Sequence, residues 1–207
     1  MKVYPNLFEK VTALENLLVA WEEFKVGKTS KEDVRRFEFN LEENLFALRD
    51  DLVSNRYRHG KYTPFYIRDP KQRLIHKATV RDRVLHHALF RVLSPVFDPT
   101  FIVNSFSCRL GKGVHKGVAS LKNGLRKVSR NNTRICFALK CDIQKFFQSV
   151  DQEILMRVIT RKLKDEKVLR LLEQVISSHG LTRERVKRPA RESRSAILPH
   201  NYLPIFI

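Results

Sequence analysis

A chain of 207 residues with 43% hydrophobic and 10% aromatic residues is long and apolar enough to bury a core, which excludes a disordered polyelectrolyte. Its 40 Lys and Arg against 22 Asp and Glu give a net charge of +18, and so much positive charge calls for a polyanionic partner, nucleic acid first. An anionic membrane surface or an acidic protein is the alternative.

Val11, Leu14, Leu17, Leu18, Trp21 and Phe24 recur at helical spacing until Gly27 stops them. Ser30 with Asp33 has the spacing of a capping box, and Val34, Phe37, Leu41, Leu45, Leu48 and Leu52 predict one further amphipathic helix. These two helices read as an N-terminal packing module over residues 1–56. β-rich runs on either side of Asp69-Pro70 predict a hairpin. "VRDRVLHHALFRVLSPVFD" predicts a helix that Pro95 ends or kinks. A glycine-punctuated loop then leads into another helix, "TRICFALKCD" predicts a strand, and apolar periodicity predicts helices from about Asp151 and from about Asp165 to Gly180. This order of elements points to an α+β layer fold. Cys108, Cys136 and Cys141 lie in or near apolar runs. They read as buried thiols in a reducing, cytoplasmic setting, with no disulfide framework or zinc spacing. No apolar run approaches the length of a membrane span, and the N-terminus does not read as a signal peptide.

The chemistry centres on "LKCDIQKFFQSVD". A carboxylate at the C-terminal end of a buried strand can be held rigidly and presented to a cleft. Mg²⁺ prefers such hard oxygen ligands, keeps positions open for phosphates, and as a pair can stabilise both oxygens of a phosphoryl transfer. Asp142 is therefore a candidate metal ligand. A strand-end Asp capping a turn is the alternative, with Phe146 and Phe147 as core.

"LKCDIQKFFQSVD" resembles motif A of reverse transcriptases, the Asp-x-x-x-aromatic-aromatic pattern of the palm. "YTPFYIRDPKQRLIHKATVRDRVLHHAL" is similar to the finger segment of bacterial retroelement enzymes, and "FIVNSFSCRLGKGVHKGVASL" to the segment that follows it. The three occur in the family's order, over roughly Tyr57 to Gly180. The resemblance implies an incomplete right-hand polymerase fold, fingers plus the start of the palm, preceded by N-terminal helices. It implies RNA-directed DNA polymerase chemistry with Mg²⁺, an RNA template, a DNA primer and an incoming deoxynucleotide. Asp142 matches the first metal-binding carboxylate, Ile143 the residue whose backbone carbonyl faces the metal, and Phe147 the aromatic gate under the incoming sugar. Arg73 matches the finger cation that reaches the triphosphate, a task suited to a guanidinium fork. Lys71 and Arg68 are further candidates there, or solvated hairpin charges. Arg81, Arg83 and Lys112 are candidates for nucleic-acid phosphates, with unpartnered helix-face charges the other reading of the first two. His86, His87 and His115 read as structural residues or nucleic-acid contacts.

Neither the family's glycine-rich motif B nor its Tyr-x-Asp-Asp turn is legible downstream. After Gly180 the chain becomes "LTRERVKRPARESRSAILPHNYLPIFI", a basic tail over residues 181–207. Codons exist for Glu192 to Ile207 that, displaced by one nucleotide, read "GIPLGNLTSQLFANIY", which closely resembles motif B. The expectation is that the tail is out-of-frame sequence and the chain a truncated fingers and early palm, inactive as a polymerase by itself. The resemblance is closest to diversity-generating retroelement and group II intron-like enzymes; the Gly-x-x-x-Ser-Gln pattern in the displaced frame is similar to the former, whose accessory protein would be a further partner. A stand-alone RNA-binding module that uses basic fingers without chemistry is the competing reading.

Overall fold

The structure, a computed structural model, describes residue 4 and residues 6–68, 72–143 and 146–180. They fall into two compact units, one of residues 4–96 with 152–180, the other of residues 97–151. The division cuts across the expected boundary at residue 56, because the last two helices fold with the N-terminal ones.

The first unit is built on helices. α1 (Leu7–Thr12) leads into α2 (Leu14–Lys25), whose Leu17, Ala20, Trp21 and Phe24 are buried along one face. Gly27, at φ 68°, takes the left-handed conformation that ends the pattern, and Lys28 Nζ donates to the Phe24 carbonyl at 2.7 Å, a cation at a helix C-terminus. The capping box expected at Ser30 and Asp33 is not formed. Lys31 is the N-cap, without a side-chain cap, and Asp33 is drawn into ion pairs with Lys77 and Arg83 instead. The helix expected to run through Leu52 is two, α3 (Glu32–Phe39) and α4 (Leu41–Val53). Asn40 leaves helical geometry between them, and Asn44 Nδ2 takes up the Phe37 carbonyl at 3.0 Å. The break lets Val34 and Phe37 join Leu45, Leu48 and Leu52 in the core.

β1 (Thr63–Arg68) and β2 (Gln72–Lys77) form the predicted hairpin, antiparallel, with Arg68 opposite Gln72 and Thr63 opposite Lys77. α5 (Val80–Phe97) follows, with Pro95 in its last turn and Val84, Leu85, Ala88, Leu89 and Leu93 buried. α8 (Gln152–Thr160) and α9 (Glu166–Gly180) complete the unit, α9 packing on α1. One carboxylate joins these two helices. Asp165 Oδ1 accepts from the Lys167 and Val168 amides at 3.1 and 3.3 Å, and its Oδ2 accepts from the Phe8 amide at 2.9 Å. It therefore caps both N-termini, a contact across 157 residues of sequence.

In the second unit the Arg109 guanidinium organises a loop. It donates to both Asp98 oxygens at 2.7 and 3.1 Å and to the carbonyls of Ile102 and Ser105. Gly113, at φ 105°, turns the chain into α6 (Val114–Val128), no residue of which is buried. The segment 135–143 forms no strand, which corrects the expectation for "TRICFALKCD". A strand needs a ladder partner for its backbone groups, and the described residues offer none beside it. Ile135, Phe137 and Leu139 are accordingly 88–95% exposed. The short α7 (Phe146–Ser149) closes the unit. Cys108 and Cys141 are exposed and Cys136 is half-buried, all three free, so the thiols are not buried as expected. No helix among the described residues is long and apolar enough to cross a membrane.

Candidate nucleic-acid interface

The hairpin register sorts the finger candidates by face. Directly opposed residues of an antiparallel pair share a face and neighbours along a strand alternate. Arg73 opposes Ile67 and shares its face with the Phe65–Ile75 and Thr63–Lys77 pairs. Arg68 opposes Gln72 and shares the other face with the Tyr66–Leu74 and Pro64–His76 pairs. Arg68 and Arg73 therefore project from opposite faces of the hairpin. Both faces meet solvent: every residue of β1 is exposed, as are Gln72 to Ile75 of β2. The result is a basic finger carrying aromatic and aliphatic side chains on each side. Lys71 lies outside the described residues.

Arg81 and Arg83, at the start of α5, are tied into the body. Arg81 pairs with Asp51 at 2.6 Å and lies over the Tyr57 ring. Arg83 pairs with Asp33 at 2.8 Å and lies over the Phe24 ring. They are thus not unpartnered helix-face charges. Lys77 shares Asp33 with Arg83. Burial works to raise the Asp33 carboxyl, but hydrogen bonds and charge from Lys77 and Arg83 outweigh it and hold it below the ordinary carboxylate range. Asp33, Lys77 and Arg81 border a groove of about 810 Å³ between α3, α4 and the foot of the hairpin.

In the second unit, Lys112 donates to the Val103 carbonyl at 2.8 Å and lies over the Phe106 ring, so it braces its own loop. Asp142 and Ile143 are exposed on the non-ladder segment, not at the end of a buried strand. Phe147 falls in α7. Among the described residues no group of three or more His, Cys, Asp or Glu could hold a metal ion. Asp142, solvated and outside any such group among the described residues, does not by itself supply a two-Mg²⁺ centre, which needs several hard oxygen ligands held together.

His86 and His87 pack against other rings. His86 stacks on His59, and burial, then the nearby His59, lower it to about 4. His87 meets the Phe24 ring edge-on. The hairpin's base is held by a group with little pattern in the sequence, Tyr57, His59, Gly60, Thr79 and Asp82. Only Thr79-x-x-Asp82 left a legible trace, the spacing of a helix-start motif.

No family model matches the sequence. The chain is similar to two intron maturases and to a bacterial protein. Nuclear intron maturase 1, mitochondrial, of Arabidopsis thaliana is 25% identical over 73% of this chain, and nuclear intron maturase 2, mitochondrial, of the same plant is 23% identical over 68%. Protein YkfC of Escherichia coli is 26% identical over 65% of the chain. The matched segments cover 26%, 20% and 35% of those proteins, so the chain spans about a third of their length or less.

Proposed function

We propose that the chain is the fingers and early-palm portion of a reverse-transcriptase-related retroelement protein of the intron-maturase kind, and that by itself it binds RNA without polymerising. The observation that carries the reading is the basic hairpin, open to solvent on both faces, at the place where the motif order puts the fingers. The maturase relatives support an RNA partner and favour an intron-type origin over a diversity-generating one. Arg73 and Arg68 supply phosphate contacts on opposite sides, and Tyr66 offers a ring on which a base can stack. In a full-length relative the same fingers would guide template-directed deoxynucleotidyl transfer, with Asp142, Ile143 and Phe147 in the roles the resemblance gives them. No polymerisation step is assigned to this chain, because Asp142 does not by itself supply the Mg²⁺ centre that step needs.

Titration of labelled single-stranded RNA across a salt series tests the proposal. Affinity is expected to fall about a thousandfold between 50 and 200 mM salt if six or more phosphates are neutralised. Arg68→Gln with Arg73→Gln should weaken binding and flatten the salt slope, whereas Asp142→Ala should leave both unchanged. Salt-insensitive binding would overturn the RNA reading. Deoxynucleotide incorporation on a primed RNA template, above the Asp142→Ala background, would overturn the non-catalytic one.

A further inference from the structure

The hairpin leaves and rejoins the body at one buried carboxylate. Asp82, in the first turn of α5, is 1% exposed. Its Oδ2 accepts from the Gly60 amide at 3.0 Å and from the Thr79 hydroxyl at 2.6 Å. Gly60 lies just before β1 and Thr79 just after β2, so a single oxygen holds both legs of the excursion at its neck. The other oxygen, Oδ1, faces the helical body and accepts from Tyr57 Oη at 2.8 Å. Burial and the Asp82 charge push the Tyr57 hydroxyl well above its ordinary value, which keeps it a donor. Thr79 Oγ1 in turn accepts from the Asp82 amide at 3.2 Å, so the neck is fastened to the start of α5 from both directions.

The surroundings leave little room for another arrangement. A Cβ on Gly60 would come within 2.6 Å of Thr79 Cγ2 and 2.8 Å of Asp82 Oδ2, closer than carbon approaches in a relaxed structure. His59 lies beside Asp82, its Nδ1 3.8 Å from Oδ2, and its ring is stacked between Tyr62 and His86. Tyr62 Oη reaches Ser178 Oγ on α9 at 3.0 Å, which ties the outgoing leg to a helix 116 residues away. Buried carboxylates persist when every lone pair is engaged, and such networks fix one geometry because alternatives leave a charge unsatisfied.

We infer that Asp82 is a positioning residue for the hairpin: by gripping both legs at the neck it fixes the direction in which the finger presents Arg68 and Arg73 to RNA. The inference rests on the hairpin being the RNA-contacting element, and the two are separable by experiment. Gly60→Ala pushes the neck apart sterically, and Thr79→Val removes one donor to Asp82 Oδ2 while keeping its shape, so each loosens one leg and leaves the carboxylate side chain in place.

Hydrogen exchange and RNA titration on the full chain decide the matter. Both variants should speed amide exchange in residues 63–68 and 72–77 while leaving α2 and α9 protected. Both should weaken RNA binding roughly three- to thirtyfold. In an Arg68→Gln/Arg73→Gln background the same substitutions should cost almost nothing further, a non-additivity that general destabilisation does not produce. Unchanged hairpin exchange, or a loss of equal size in both backgrounds, would overturn the clamp. If the arginine variants leave RNA affinity untouched, the RNA-binding role of the hairpin fails, and exchange at the hairpin alone decides whether Asp82 positions it.

Discussion

The two units apply the same sequence rule and reach opposite ends. In the first, the apolar stripes of α2, α4, α5, α8 and α9 face one another, and Trp21, Leu48, Leu89, Ile159 and Leu172 lose essentially all contact with solvent. In the second, α6 has as clear a stripe, yet Val114, Val118, Leu121 and Val128 are 60–78% exposed. Helical periodicity thus predicts a helix equally well in both. It does not predict burial, because an apolar face is buried only where another layer lies against it. The second unit is held by polar loop contacts centred on Arg109, the first by a hydrophobic core.

Substitutions that enlarge or erase this contrast test it. Trp21→Ala should destabilise the first unit by about 3–5 kcal/mol, the usual result of emptying a packed aromatic site, read as a drop in the urea midpoint. Asp165→Ala removes the cap of α9 together with the acceptor for the Phe8 amide. It should cost about 1–2 kcal/mol and selectively speed exchange at the α1 and α9 N-termini.

Acid should act on the first unit through His86. Its folded value is about 4, below the ordinary 6.5. The unfolded state therefore takes up the proton first, and stability is full above about pH 6.5 and falls as pH drops toward 4. Unfolding midpoints between pH 7 and pH 4.5 should show this slope, and His86→Gln should flatten it. Asp33 has the same sign in a lower window. Its lowered carboxyl adds stability that is present above the ordinary carboxylate range, at about pH 4, and lost as pH falls through its folded value. Because Asp33 is just over a third exposed, Asp33→Asn should shift the melting temperature only slightly at pH 7, and by less as pH falls below the ordinary carboxylate range. The smallest effect belongs to the second unit: Leu121→Ala should change stability by no more than about 0.5 kcal/mol, since the side chain is already solvated. A loss comparable to that of Trp21→Ala would show that α6 is covered in solution, and the contrast between the units would disappear.

What the sequence by itself determined was local. The spacing of Leu17, Trp21 and Phe24 gave α2, Gly27 gave its end, the runs around Asp69-Pro70 gave the hairpin, and the ordered motifs pointed to the retroelement relatives that the maturase similarity supports. The net charge of +18 pointed to a polyanionic partner. The helix, its end and the hairpin each depend on neighbours within a turn or two of chain. Tertiary structure decided the rest. It broke one expected helix at Asn40, turned Asp33 from a capping residue into a bridge between Lys77 and Arg83, and used up Arg81 on Asp51. It also left the "TRICFALKCD" segment without a ladder, so that Asp142 stands exposed, and it brought Gly60 and Thr79 to one oxygen of Asp82. A hydrogen bond or ion pair between distant residues leaves no period in the sequence. A strand exists only when a second one supplies its partners. The identity of a side chain is local information, whereas the group it will be held against is not.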